Sequence, residues 1–429
     1  MKILFVHQNF PGQYLHLAPA LVQRGHEVRA LCMRQPPLPV LAGVDVTAYK
    51  VQRPAVAQQQ PLLQNTESKV LRAEAVALAC DRMAAQSFAP DVICSHPGWG
   101  ETLFLREVWP QARQLHFVEF YYASTGLDVG FDPEFGPPGL AQRSRLLMNN
   151  LPLLHALHSM DAGVSPTQWQ ASTVPALLRD RVSVIHDGID TKRARPLPGA
   201  RFTATTQAGV ALNLGAGDEV LSFVNRNLEP SRGYHRFMRA LPTVLRQRPN
   251  AQAVIVGGNE NGYGAKPTSG SHQQLYLDEV RPQLTASELQ RIHYVGRIPH
   301  RALMALFQVT RAHVYLSYPF VLSWSMLEAM ACGAVVIGSD TPPVREVLRD
   351  GENGHLVGFF DQAGLVQAVC AALPQAPGST PVAQAARDTV LASYDLAQCL
   401  PRHIALVEAM PGLPLRSAVA PEPSPLSAT

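Results

Sequence analysis

Short, unbroken apolar runs recur along the chain. Each ends on glycine or polar residues and leads into a stretch with helical spacing. Ile3 to Val6 is the first such run. A strand that is apolar without alternation belongs to a parallel sheet covered on both faces. Pro11 and Gly12 break the run, Leu15, Leu17, Leu21 and Val22 form a helical stripe, and Gly25 stops it before "HEVRALCM". "PDVICSH", "QLHFVEFYY" and "VSVIHDGID" continue the series. The same grammar restarts after residue 200 with "EVLSFVNRNLEPSRGYHRFMRALPTVLRQRPNAQAVIVGG", then "IHYVGRIP", "AHVYLSYP" and "AVVIGSD". Strands alternating with helices specify α/β units. The expected fold is therefore two Rossmann-like, doubly wound parallel-sheet domains facing a cleft.

Between the halves, "KRARPLPGARFTATTQAGVALNLGAG" has no clear period, which places the boundary near Asp190 to Pro198. The expected domains are residues 1–192 and 193–385, a final helix over 386–412 and a tail over 413–429. That tail is rich in proline and serine and is expected to be disordered.

Composition excludes several classes. Hydrophobic residues make up 46% and charged residues 16%, which suits a globular chain with a full core. A net charge of +3, dispersed along the chain, does not argue for nucleic acid or a membrane surface. The six cysteines lack metal spacing and lie mostly in apolar runs, so they read as buried hydrophobes in a reducing compartment. No run approaches the roughly 20 apolar residues of a membrane span, and the amino terminus lacks a signal-peptide pattern. The expected location is cytoplasmic.

In doubly wound sheets, ligands bind beyond the carboxyl ends of strands. The residues expected there include His7 to Gln13, Ser95 to Trp99, Glu119, Asn225 to Gly233, Gly296 to Arg297 and Tyr318 to Ser325. Three groups stand out. Glu328 lies in an apolar helix that starts near Ser323, where free N–H groups suit a phosphate and the carboxylate suits a sugar diol. The alternative is that Glu328 pairs with an arginine or caps a turn. Arg226 and Arg232 sit on a loop after a strand and suit a diphosphate, although two solvated arginines would look the same. Gly12, Gly98 and Gly100 permit close backbone approach, and His96 would share a cleft with His7 and Glu119, unless it is structural. No dinucleotide fingerprint, phosphate loop, nucleophile elbow or zinc-protease motif is present, and the histidines lack a convincing ligand set, so no metal is expected.

The segments "LEAMACGAVVIGSDTPPVREVLRDGENGHLV", "NRNLEPSRG", "HYVGRIPHRALMALF" and "VIHDGID" resemble those of retaining glycosyltransferases of the GT-B fold, family four (group 1). The first is highly specific and the others are supportive. The likeness runs along nearly all of residues 1–410. It implies an acceptor-binding first domain, a second domain that binds a nucleoside diphosphate sugar, and a last helix that crosses back to the first. It also implies retention of configuration without an obligatory metal or cofactor. By motif, Glu328 would hold the nucleotide ribose. Backbone N–H groups from Val321 through Leu322, Ser323 and Trp324 to Ser325 would face the diphosphate and sugar. Arg226, beside Asn225, matches the phosphate-binding arginine. Arg232 falls one residue after the family's phosphate-binding lysine. Backbone near Arg297 and Ile298 would meet the base. Gly12 and Gln13 match the loop near donor phosphate and acceptor, and His96 matches a histidine that touches the transferred sugar.

One position departs from the pattern. Phe320 stands where the family has the first glutamate of its E-x7-E motif, which contacts the donor sugar. The expected function is transfer of a sugar from a nucleoside diphosphate sugar to a carbohydrate or lipid-linked acceptor, in polysaccharide or glycoconjugate synthesis. Peripheral membrane contact stays open if the acceptor is a lipid. A non-catalytic nucleotide-sugar-binding protein and a nucleotide-sugar 2-epimerase are the alternatives.

Overall fold

The computed structural model describes residues 1–34, 37–56, 60–260, 262, 267 and 269–413. The tail expected to be disordered lies almost wholly outside them. The chain forms two compact units. Unit 1 comprises Met1–Ser124, Pro137–Asp187 and the chain from Leu400, and unit 2 comprises Thr125–Gly136 and Gly188–Cys399.

Unit 1 is built on seven strands: β1 (Lys2–Val6), β2 (Glu27–Cys32), β3 (Asp45–Ala48), β4 (Val92–Ser95), β5 (Arg113–Phe117), β6 (Ala162–Ser165) and β7 (Val182–Val184). Their order is β3-β2-β1-β4-β5-β6-β7, and every pairing is parallel. The apolar run of β1 serves both faces of this sheet. Ile3 and Phe5 point into one core cluster, while Leu4 and Val6 point into another. Into the first cluster also come Val407 and Met410, both fully buried, from the end of the helix Leu396–Ala409 and the turn after it. The carboxyl-terminal stretch is thus part of the core of unit 1.

Unit 2 opens with an antiparallel hairpin, β8 (Arg201–Thr205) and β9 (Ala211–Gly215). Here the sequence reading found no period. The alternation is present but short: Phe202, Leu212 and Leu214 turn inward, while Arg201, Thr203, Ala211 and Asn213 stay exposed. The main sheet contains β10 (Glu219–Asn227), β11 (Ala251–Gly258), β12 (Ile292–Gly296), β13 (Thr310–Tyr315), β14 (Val335–Ser339) and β15 (His355–Val357). Its order is β12-β11-β10-β13-β14-β15, all parallel. Again the strands feed two clusters, Val254 and Val256 on one face, Ala253 and Ile255 on the other.

The segment Thr125–Gly136 follows β5 in sequence yet belongs to unit 2. Asp132 holds it there. Its carboxylate lies 2.8 Å from His235 Nε2, accepts from Tyr318 Oη at 3.1 Å and from Arg236 at 3.3 Å, and caps Glu134 N–H at 3.0 Å. Glu134 forms a two-pronged pair with Arg239 at 2.6 and 2.8 Å. Phe131 stacks against Phe360 and meets Tyr318 and Phe359. Asp132, Glu134 and His235 have the spacing of a metal-ligand group, but their oxygens are already matched by arginine, tyrosine and histidine.

Five cysteines are buried, Cys370 is half-buried, and all six are free. Among the described residues no helix is long and apolar enough to cross a membrane.

Candidate active site

Each sheet winds outward from an inner strand in both directions, which creates a crevice where the order reverses. In unit 1 the reversal lies between β1 and β4, and in unit 2 between β10 and β13. The residues at or just beyond the ends of these four strands are the ones singled out by chemistry: His7, His96, Asn225 to Arg232 and Ser317 to Ser325.

In unit 2 the ladder between β10 and β11 is interrupted between Val224 and Asn227. Asn225 and Arg226 therefore sit at an irregular strand end, where side chains are re-aimed. The sequence reading placed Arg226 on a loop; it is still within β10, and exposed. Arg232 ends the short turn Pro230–Arg232. Its Nη1 donates to Ser317 Oγ at 3.0 Å and to the Val321 carbonyl at 2.9 Å, and its guanidinium lies 5.2 Å from the centre of the Phe320 ring. Gly233 follows with φ +70°, and a Cβ there would lie 2.2 Å from Leu316 Cβ. Only glycine lets the next helix start this close to β13.

Phe320 is 3% exposed, so the ring is a fixed wall under Arg232 and not a surface residue. The helix Trp324–Ala331 begins four residues later, capped by Ser323. Two of the N–H groups expected to meet phosphate are spent inside the protein. Ser323 N–H donates to Tyr315 Oη at 2.8 Å, and Ser325 N–H donates to Ser323 Oγ at 3.3 Å. The bend into this short helix is tight enough for a neighbouring hydroxyl to reach the amide. The rest of the stretch is mixed: Val321 is half-buried, Leu322 is buried, and Trp324 is 41% exposed.

Glu328 is 8% exposed, and its Oε1 lies 2.7 Å from His300 Nε2. Pairing of this carboxylate within the protein was one of the two readings from sequence, but its partner is a histidine and not an arginine. The bond to Glu328 raises the His300 pKa, against the opposing effect of burial. Because the His300 side chain is 55% exposed, the ring has room to turn away and leave the carboxylate to a ligand. Arg297 is tied by Glu260 at 2.5 Å and Asn227 Oδ1 at 2.8 Å, and Ile298 packs against the core.

Unit 1 gathers His7, Gln13, His96 and Trp99. His7 meets Trp99 edge-on at 4.8 Å, His96 stacks on Trp99 at 4.1 Å, and the two imidazoles lie 5.7 Å apart. His7 Nδ1 accepts from Asn9 N–H, and His96 Nδ1 accepts from Gly98 N–H, each at 3.1 Å. Burial and the nearby His96 push the His7 pKa down to about 3, against a hydrogen bond to Gln13 that raises it. Gly12 has φ +48°, and a Cβ there would lie 2.6 Å from His7 Cε1; at Gly98 a Cβ would lie 2.7 Å from His96 Cε1. Both glycines are needed to bring backbone against an imidazole. Glu119 approaches His96 Nε2 at 3.6 Å across a recess that Tyr121 and Tyr122 also line.

Two participants were not found from sequence, and Trp99, the end of the expected range Ser95 to Trp99, was given no role of its own. His300 sits 28 positions from Glu328, with no motif linking them. Glu101, 0% exposed, receives a hydrogen bond from Tyr49. Burial pushes its pKa up to about 7, against the effects of Tyr49, His96 and Arg72.

Two parallel Rossmann-like sheets of this topology define the GT-B class. Comparisons with known proteins agree. Residues 24–194 match the model "Glycosyl transferase family 4 group", and residues 210–388 match "Glycosyl transferases group 1". The chain belongs to the group 1, family 4 glycosyltransferases. It is 29% identical over 196 residues to a D-inositol 3-phosphate glycosyltransferase of Nocardia farcinica, covering 46% of this chain and 40% of the relative. It is 33% identical over 158 residues to a phosphatidyl-myo-inositol mannosyltransferase of Mycobacterium leprae, covering 35% and 36%. The matches thus span less than half the length of these curated relatives. Among solved structures, a sucrose-phosphate synthase from Thermosynechococcus elongatus superposes with a TM-score of 0.70 at 18% identity, covering 95% of this chain and 98% of the other. Anabaena HepE in complex with UDP and glucose gives 0.64 at 17%, covering 95% and 100%.

Proposed function

We propose that the protein is a retaining glycosyltransferase that moves a sugar from a nucleoside diphosphate sugar to an acceptor hydroxyl. The observation that carries this reading is the arrangement in unit 2. Arg232 is held by Ser317 and the Val321 carbonyl at the strand-to-helix turn that leads into Glu328. A guanidinium fixed in this way stabilises charge that develops on a leaving diphosphate without having to reorganise. Arg226 adds a second positive group at the adjacent strand end. Glu328, with His300 turned aside, accepts hydrogen bonds from two ribose hydroxyl groups.

The unit 1 cluster suits the sugar end of the reaction. An imidazole whose Nδ1 accepts a backbone bond carries its proton on Nε2, so His7 and His96 offer hydrogen-bond donors to hydroxyl groups. The leaving phosphate itself takes the acceptor proton, so the mechanism needs neither a metal nor a separate base. The structure of HepE with UDP and glucose supports a uridine donor as the first to try. The similarity to two inositol-directed glycosyltransferases supports a polyol, carbohydrate or lipid-linked acceptor, with peripheral membrane contact in the last case. The work belongs to polysaccharide or glycoconjugate assembly in the cytoplasm.

The test is thermal unfolding with UDP, GDP, ADP, CMP and TDP, on wild type and Glu328→Ala. A nucleotide at a hundred times its dissociation constant should add roughly 2.7 kcal/mol. The expected result is stabilisation by one nucleotide, lost in the variant. No response to any nucleotide would overturn the donor-site assignment. Binding without turnover of any nucleotide sugar, with acceptors supplied, would favour a binding protein over an enzyme.

A further inference from the structure

The donor-side crevice in unit 2, as described, is rich in hydrogen-bond donors and poor in acceptors. Arg226, Arg232 and the helix-start amides not already spent on Tyr315 and Ser323 all donate. A sugar carries hydroxyl groups, each with a proton to give as well as lone pairs to receive. Phe320, under Arg232, offers only a ring. Among the carboxylates placed nearby, Asp132 is consumed by His235, Tyr318 and Arg236, and Glu328 is paired with His300.

Asp128 is different. It lies four residues before Asp132, on the segment that Asp132, Glu134 and Phe131 lock onto unit 2. Two backbone N–H groups of its own turn, those of Asp128 and Val129, bond to its carboxylate, which also feels the positive charge of Arg232. Its Oδ1, however, is buried and has no hydrogen-bond partner. A buried carboxylate oxygen with no partner is costly. Burial accordingly pushes the Asp128 pKa up to about 6, in spite of those amides and Arg232. An oxygen left in that state, within the field of the donor-site arginine, is suited to a hydroxyl that arrives with the ligand.

We propose that Asp128 is a specificity-determining residue of the donor site, whose Oδ1 accepts a hydrogen bond from a hydroxyl of the donor sugar. This rests on the donor-site reading above. It assigns to the segment after β5 a role that no motif in the sequence marks, and it supplies the acceptor that Phe320 cannot.

The experiment compares full-length wild type, Asp128→Ala and Asp128→Asn by calorimetry. The probes are UDP, ADP and GDP, each tested against its glucose conjugate. The expected result is that wild type binds one conjugate more tightly than the bare diphosphate. Asp128→Ala should lose that margin, about tenfold for a hydrogen bond to a charged group, while its affinity for the bare diphosphate is kept. Asp128→Asn, which retains an acceptor oxygen, should keep part of the margin, and it stands in if the alanine variant does not fold. Equal changes for conjugate and bare diphosphate would mean that Asp128 acts on Arg232 or the phosphates, and would overturn the proposal. An unchanged margin in both variants would overturn it as well. Failure of wild type to bind any bare diphosphate would instead remove the donor-site reading, and this proposal with it.

Discussion

His7 and His96 reach the same state by the same local device. In each, the amide two residues later donates to Nδ1, which leaves the ring proton on Nε2. Gly12 and Gly98 were legible as points of close approach, and His7 and His96 as cleft residues, but the contact of each glycine with an imidazole was not, because it depends on χ angles. Behind His96 lies Glu101, and its titration gives a prediction. A carboxyl raised from its usual value to about 7 binds more protons in the folded state. It therefore contributes stability that is fully present below its unfolded pKa and is lost as pH rises through about 7. Glu101→Gln keeps the acceptor for Tyr49 without the buried charge. Relative to wild type it should gain on the order of 2–3 kcal/mol between pH 4.5 and pH 8, read as a rise in Tm at the higher pH. A difference in Tm that is the same at both pH values would count against a titrating Glu101. The His300–Glu328 pair has the same sign but a smaller effect. The histidine is more than half exposed, which caps its contribution at about 1 kcal/mol, fading as pH rises above about 6.5.

At the scale of elements, strands were the most readable part. A parallel strand buried on both faces must be apolar throughout, so β1, β4, β10, β11, β13 and β14 announce themselves. The hairpin β8–β9 did not, because its alternation is brief and interrupted by small residues. The site was legible in part. Glycines, arginines and Glu328 were found at strand ends, whereas Ser323 and Ser325 proved to use their amides internally. The segment Thr125–Gly136 was silent in sequence for a different reason. It has no regular structure beyond one short turn, and its anchors are long-range. Asp132 and His235 have side chains that are 1% and 0% exposed. Asp132→Ala should cost about 2–3 kcal/mol, since it removes a charged hydrogen bond and leaves His235 and Tyr318 without their acceptor. Denaturant unfolding measures this. Increased proteolysis within residues 125–136 should accompany it.

At the scale of the whole molecule, composition excluded the membrane-spanning and disulfide-rich classes, and the repeated strand–helix grammar foresaw two sheets of the same kind. The participation of the last helix in unit 1 was accessible only through resemblance. Val407 and Met410 are fully buried there, with Leu400, Ile404 and Leu406 against the same cluster. Removing residues from 400 onward should therefore destabilise unit 1 by more than a single core substitution, which itself costs about 2–5 kcal/mol. Circular dichroism and limited proteolysis should show unit 1 melting first in the truncated chain. A truncated protein that melts as wild type does would contradict this.

The backbone passes between the two units at residues 124–125, 136–137, 187–188 and 399–400. For anyone who wishes to recombine such proteins, this makes a cut near residue 190 a poor seam. A carboxyl-terminal half grafted there would arrive without Asp128 and Asp132, and the amino-terminal half left behind would lack the residues that finish its core. A chimera that respects the physical units has to exchange the short segment after β5 and the final helix along with the visible halves.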